Sequence, residues 1–224
     1  LAVNVILHFT DPHFNKASFG FIAKTATALH ADVCISGDLL DASRGASFRL
    51  ARQIEWVRSW VLDQPFKLFL CSGHHDTDRS DDPFSFGWLN ELHNGATIIT
   101  DGHRGTGSEG EAIACAGVDH VFDPASPLLD RLDVLVFHEP PAGSPTAALG
   151  GVGYGSVELA RFLDTAVRPP RLVLTGDVHR PRKRLAHWRQ SVVLNPGTCD
   201  VATKRPFVSI KFHPGEAEPT LSLV

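Results

Sequence analysis

The chain alternates short runs of consecutive apolar residues with longer segments in which apolar positions recur every three or four residues. The short runs are residues 3–9, 32–35, 66–71, 132–137 and 171–174, and their unbroken hydrophobicity predicts strands buried on both faces. The helical period predicts helices over residues 18–29, 47–62, 84–92 and 156–165. The second is the clearest: Leu50, Ile54, Val57 and Val61 form one stripe, with Arg49, Arg52, Glu55 and Arg58 largely off it. Repeated strand, helix, strand implies parallel strands joined by crossover helices. After Thr175 the pattern changes to strands without helices, residues 191–195, 207–212 and 221–224, which predicts an antiparallel portion.

Between these elements, residues 101–110 are rich in Gly, Ser and charge and read as an exposed connection between apolar stretches at 97–100 and 111–118. Residues 140–155 form a longer Pro- and Gly-rich loop, either a functional lid or an ordinary excursion. No repeat or low-complexity linker divides the 224 residues, so a single domain over residues 1–224 is expected. With 43% hydrophobic and 21% charged residues the composition is that of a globular protein. A net charge of -4 argues against a surface built mainly to hold nucleic acid. No apolar run approaches membrane-spanning length, so no membrane partner is expected. The cysteines Cys34, Cys71, Cys115 and Cys199 are widely spaced, with no C-x-x-C pair, which points away from a disulfide scaffold and towards a reducing, cytoplasmic setting.

Candidate chemistry collects after the strands. Asp11-Pro-His13 follows the first, Gly37-Asp38-Leu-Leu-Asp41 the second, Gly73-His74-His75-Asp76 the third, His138 the fourth, and Gly176-Asp177-Val-His179 the fifth. Open α/β sheets place their ligand crevice at the carboxyl ends of their strands. A lone Asp-x-His is more often a capped turn than a ligand pair, but five metal-competent loops in succession are hard to attribute to accident.

This ordered series resembles the calcineurin-like metallophosphoesterases, whose pattern is Asp-x-His, Gly-Asp-x-x-Asp, Gly-Asn-His-Asp/Glu, a lone His and Gly-His-x-His. The resemblance runs from Val3 to about Phe212 and includes Asn195-Pro-Gly-Thr198 followed by Arg205-Pro206, similar to a turn of the smaller bacterial members. It implies an α/β fold of two packed mixed β-sheets flanked by helices, a four-layer sandwich. It also implies two divalent ions, manganese foremost with iron or zinc as options. Carried over by position, Asp11, His13 and His179 would hold one ion, His138 the other, and Asp38 would bridge them. His75 would stand at the leaving group as the catalytic acid or hydrogen-bond donor, with Asp76 and Asp41 fixing ring and loop orientation. The implied reaction is hydrolysis of a phosphodiester or phosphomonoester, nucleotides among the candidate substrates, by in-line attack of a metal-bound hydroxide.

Two positions depart from the pattern. His74 stands where the family has Asn, and Asp177 where it has His; both would serve the second ion. Imidazole and carboxylate are competent ligands, so either coordination survives with its ligand types exchanged or the second site is weak. The basic run Arg180-Pro-Arg182-Lys183-Arg184 reads either as a solvated hairpin or as a clamp for substrate phosphate, with Arg180 and Arg182 foremost. Alternatives to a small phosphoesterase are a repair-type nuclease with overlapping motifs and a catalytically silent, metal-binding scaffold. The oligomeric state is not legible.

Overall fold

The computed structural model describes residues 5–43, 50–79, 82, 85–123, 125–150, 152–199, 206–213 and 219–224. The first two residues of the strand expected at 3–9, the first three of the helix expected at 47–62, the first of that at 84–92, and Arg205 lie outside the described residues.

Five of the strands meet the expected order: β1 (Ile6–Phe9), β2 (Asp32–Ser36), β3 (Leu68–Cys71), β7 (Val134–Phe137) and β10 (Leu172–Leu174). Between and beside them run β4 (Ile98–Ile99), β5 (His103–Thr106), β6 (Ala112–Ala116), β8 (Ala148–Leu149), β9 (Val152–Gly153), β11 (Leu185–Trp188), β12 (Ser191–Leu194), β13 (Val208–Lys211) and β14 (Thr220–Leu223). One sheet has the order β14-β13-β1-β2-β3-β4 and the other β11-β12-β10-β7-β6-β5. Each is parallel at its centre. β13 and β14 join the first sheet antiparallel, and β11 and β5 edge the second the same way.

Alternation along the strands explains the layering, because successive side chains of a strand point to opposite faces. Ile6, Cys34, Phe69 and Cys71 of one sheet meet Ile113, Cys115, Val136, Leu174 and Leu194 of the other in the seam between them. The intervening residues Leu7, Phe9, Val33, Ile35 and Leu70 face outward, onto Phe19, Ile22 and Ala26 of α1 (Lys16–Leu29) and Leu50, Val57 and Val61 of α2 (Leu50–Leu62). On the far side Leu135, Phe137 and Val173 receive Leu159, Phe162 and Leu163 of α4 (Val157–Thr165). The result is a helix, sheet, sheet, helix sandwich. Asn15 caps α1 by accepting from the backbone N–H groups of Ala17 and Ser18, and Ser156 caps α4 by accepting from Leu159.

The structure corrects two expectations. Residues 101–110 are not wholly a loop: His103–Thr106 is an edge strand paired with β6, and its polar, alternately exposed side chains suit an edge that must not recruit another chain. The helix expected at 84–92 is a single turn, α3 (Gly87–Asn90), whose Trp88 indole donates to the Asp76 carbonyl. The long loop at 140–155 contains a 3-10 turn, Pro145–Ala147, and the small β8–β9 hairpin. All four cysteines are free and buried.

Candidate metal centre

The carboxyl ends of β1, β2 and β3 in one sheet and of β7 and β10 in the other converge at one end of the sandwich. There the side chains of Asp11, His13, Asp38 and His179 place ligand atoms within 4.8 Å of one another, and those of His74, His138 and Asp177 form a second such group. Asp38 lies between them. Its Oδ2 is 3.7 Å from His13 Nε2, and its Oδ1 is 3.5 Å from His138 Nε2. Within the first group His13 Nε2 and His179 Nε2 are 2.9 Å apart, and His179 Nε2 is 3.6 Å from Asp11 Oδ1. Within the second, Asp177 Oδ1 is 3.4 Å from His74 Nδ1 and 3.8 Å from His138 Nε2. The two residues that depart from the family pattern therefore face each other.

The backbone that presents these groups is unusual. Asp11, His13, Asp38 and Asp177 all have positive φ, between 42° and 61°, a region that non-glycine residues seldom occupy outside constrained sites. The glycines preceding the ligands have a steric reason. A Cβ on Gly37 would lie 2.7 Å from His138 Cγ, and one on Gly73 would lie 2.8 Å from His138 Cε1 and 2.5 Å from the Asp38 nitrogen. Close approach of backbone to ligand side chains is what Gly permits.

Hydrogen bonds then fix each group. His138 Nδ1 donates to the Ser36 carbonyl at 2.9 Å, which leaves Nε2 directed at the two carboxylates. That Nε2 is fully buried with no hydrogen-bond partner among the described residues. A buried, unpaired nitrogen costs stability unless something binds it. Thr10 Oγ1 donates to the Asp11 carboxylate, the Asp177 N–H donates to Asp11 Oδ1, and Thr198 Oγ1 donates to the Asp11 carbonyl. Asn195 donates to the Gly176 and Val178 carbonyls, fastening the loop that carries Asp177 and His179.

The electrostatics favour a cation. Burial opposes charge on His138, but Asp38, Asp11 and Asp177 outweigh it and push its pKa up to about 9. Asp177 beside His74 and Asp11 beside His179 raise those imidazoles too, while burial holds His13 below its usual range. Burial alone would raise Asp38, yet His138, His13 and His75 together hold it below the ordinary carboxylate range. A field that holds a proton on buried His138 also attracts a divalent ion. With the unpartnered Nε2 and a donor set of imidazoles and carboxylates, these residues fit divalent transition metals.

His75 is one-third exposed beside this cluster, its ring 4.8 Å from that of His13. Its Nδ1 accepts the Ala42 N–H at 3.1 Å and lies 3.7 Å from Asp41 Oδ1. Asp76, expected to fix ring and loop orientation, is placed to hold the loops. It is fully buried, and its two oxygens accept from Leu40 and Gly73 N–H at 2.8 Å each, so it ties the β2 loop to the β3 loop. Arg180 and Arg182 are exposed on the rim beyond His179.

Four supporting residues escaped the sequence reading: Thr10, Ser36, Gln53 and Glu139. Gln53 lies on the apolar face of α2 and clamps Asp41 through both its N–H and its carbonyl, a role that only its polarity on a buried stripe could have signalled. Glu139 Oε1 is 3.9 Å from His74 Nε2, and adjacency to His138 in sequence was the available clue.

No protein-family profile and no curated protein matches this sequence. Solved structures do match in shape. TT1561 of Thermus thermophilus aligns over 98% of both chains with TM-score 0.61 and 15% identity. An archaeal phosphodiesterase aligns over 98% of this chain and 99% of its own, with TM-score 0.52 and 11% identity. The calcineurin-like phosphoesterase YfkN of Bacillus subtilis aligns over 98% of this chain and 89% of its own, with TM-score 0.50 and 10% identity. With two six-stranded sheets between helices and the loop order described above, this chain has the calcineurin-like metallophosphoesterase fold.

Proposed function

We propose that this protein is a metal-dependent phosphoesterase, with a phosphodiester the preferred substrate class. The observation that carries the reading is the convergence of seven donors from five strand ends into two groups on either side of Asp38, with the buried His138 Nε2 left for a ligand. In this reading Asp11, His13 and His179 would hold one ion and His74, His138 and Asp177 the second, with Asp38, which lies between the two groups, shared by both. When bound, paired divalent ions, manganese foremost, supply positive charge against phosphoryl oxygens and acidify water.

The chain's own groups do the rest. The Ala42 N–H occupies His75 Nδ1, so a neutral His75 ring carries its proton on Nε2, the tautomer suited to donating towards a departing oxygen. Asp76 holds the Asp38 and His74 loops in register by binding Leu40 and Gly73. Ser36 sets the tautomer of His138 through its carbonyl. Arg180 and Arg182, exposed at the rim, offer positive charge to a second substituent on the phosphate, which is why a diester is preferred.

Manganese-loaded protein is expected to hydrolyse bis(p-nitrophenyl) phosphate near neutral pH, faster than p-nitrophenyl phosphate, with two metal equivalents per chain by elemental analysis. Turnover of neither ester above background, in protein that holds its metal, would overturn the reading.

A further inference from the structure

The rim of the cleft beside His74, His138 and Asp177 carries side chains that neither the metal centre nor the core uses. In the β8–β9 hairpin, Leu149 stands directly opposite Val152. Leu149, Val152 and Tyr154 are exposed. These three are among the ten large hydrophobic side chains exposed among the described residues. Surfaces normally scatter such residues singly, and a cluster marks a contact.

A run of cations is fastened to the same hairpin. Arg182 N–H donates to the Ala148 carbonyl at 2.8 Å and Lys183 N–H to the Pro145 carbonyl at 3.2 Å, while Ser156 N–H closes the base of the loop on the Pro140 carbonyl at 2.9 Å. The hairpin is thus pinned between the loop bearing His138 and the loop bearing His179. Arg180, Arg182, Lys183 and Arg184 are all exposed. The ion pairs of Arg58, Arg131, Arg171 and Arg189 lie elsewhere in the molecule.

We propose that this rim docks the protein onto an anionic lipid surface, the hairpin entering the boundary between headgroups and acyl chains and the cations meeting lipid phosphates. Charge complementarity selects this occupant. A second copy of the chain meeting the same patch would bring two sets of cations together. A nucleic acid would answer the cations and leave Leu149, Val152 and Tyr154 in water. Lying on a bilayer requires no spanning segment, and no helix among the described residues is long and apolar enough to cross one. The inference revises the expectation of no membrane partner, which rested on span length alone. It shares Arg180 and Arg182 with the proposed substrate clamp, so its test changes only Lys183, Arg184 and the hairpin, and reads binding and not turnover.

The test is flotation of the full chain with vesicles of phosphatidylcholine alone or mixed equally with phosphatidylglycerol, at low and high salt. The protein is expected to float with the anionic vesicles only. Each cation contributes roughly fivefold to partitioning, so Lys183→Ala with Arg184→Ala should lower it roughly 25-fold. Leu149→Ser with Val152→Ser should remove the part of the binding that survives high salt. Unchanged metal content and thermal midpoint in both variants would show that the fold is intact. No flotation with anionic vesicles, or flotation indifferent to both pairs, would overturn the proposal. So would single-stranded DNA binding in place of vesicle binding, or a dimer dissolved by the serine pair in a protein that ignores vesicles.

Discussion

The two halves of the centre use the same donor types and bury opposite ones. The group of Asp11, His13 and His179 and the group of His74, His138 and Asp177 each contain two imidazoles and one carboxylate. In the first, the inaccessible member is the carboxylate Asp11, held by Thr10 and by the Asp177 N–H. In the second, it is the imidazole His138, held by the Ser36 carbonyl, while the carboxylate Asp177 is a quarter exposed. Each half also opens one imidazole to solvent, His179 and His74 with side chains 47% and 45% exposed. A buried carboxylate attracts a cation more strongly than a buried neutral ring or a solvated carboxylate does, because field strength rises as water is excluded. The donor set alone would make the halves equal; on the proposed metal reading, burial would make the first half the tighter site.

The comparison can be broken most forcefully at the residue both halves share. Asp38→Ala should release both ions and lower turnover at least about 10³-fold, the scale of losing several kcal/mol of charge stabilisation; elemental analysis beside a diester assay checks it. His75→Ala tests the opposite limit: both ions stay bound while turnover falls about 10²- to 10⁴-fold, the usual contribution of a positioned proton donor. Equal metal loss in Asp38→Ala and His75→Ala would mean the roles are misassigned. The difference between the halves is sharpened by single ligands. His138→Ala should leave one equivalent of metal and Asp11→Ala should lower the affinity of the tighter equivalent, a contrast read by manganese titration followed by electron paramagnetic resonance.

Gly73→Ala acts on both halves through packing. Its new methyl would press on His138 and on the Asp38 backbone, at a cost of about 1–3 kcal/mol, visible as a lowered thermal midpoint. The smallest effect is that of pH. His138, with its pKa pushed up to about 9, carries a proton at neutral pH that an entering ion must displace, and Asp177 beside His74 and Asp11 beside His179 shift those rings in the same direction. Metal affinity should therefore rise with pH and level off only above about pH 9, where His138 has lost its proton. Calorimetry in buffers of different ionisation enthalpy should show more protons released by the second group than by the first, since His13 is already below its usual range.

Much of the architecture was legible because it depends on local pattern. Unbroken apolar runs marked β1, β2, β3, β7 and β10, since strands covered on both faces have no polar positions to interrupt them. The helical stripe marked α2 and the segment before Asp32 marked α1. Misreadings fell where pattern is weakest. His103–Thr106 looked like a loop because an edge strand faces water along one side and needs little hydrophobicity, and α3 shrank to one turn where Trp88 was recruited by the Asp76 carbonyl.

The sequence by itself determined which donor types stand at which strand ends, because backbone order is written in the chain. Only the tertiary structure decided how those donors are shared and buried. That His74 and Asp177, both off the pattern of the resembled family, stand 3.4 Å apart is a meeting of loops from different sheets, with 102 residues between them in the chain. That Asp76 ties backbones together while its neighbour His75 faces the cleft follows from a turn, not from residue type. Distance and exclusion of water set the strength of every interaction in this centre, and both come into being only when the two sheets pack.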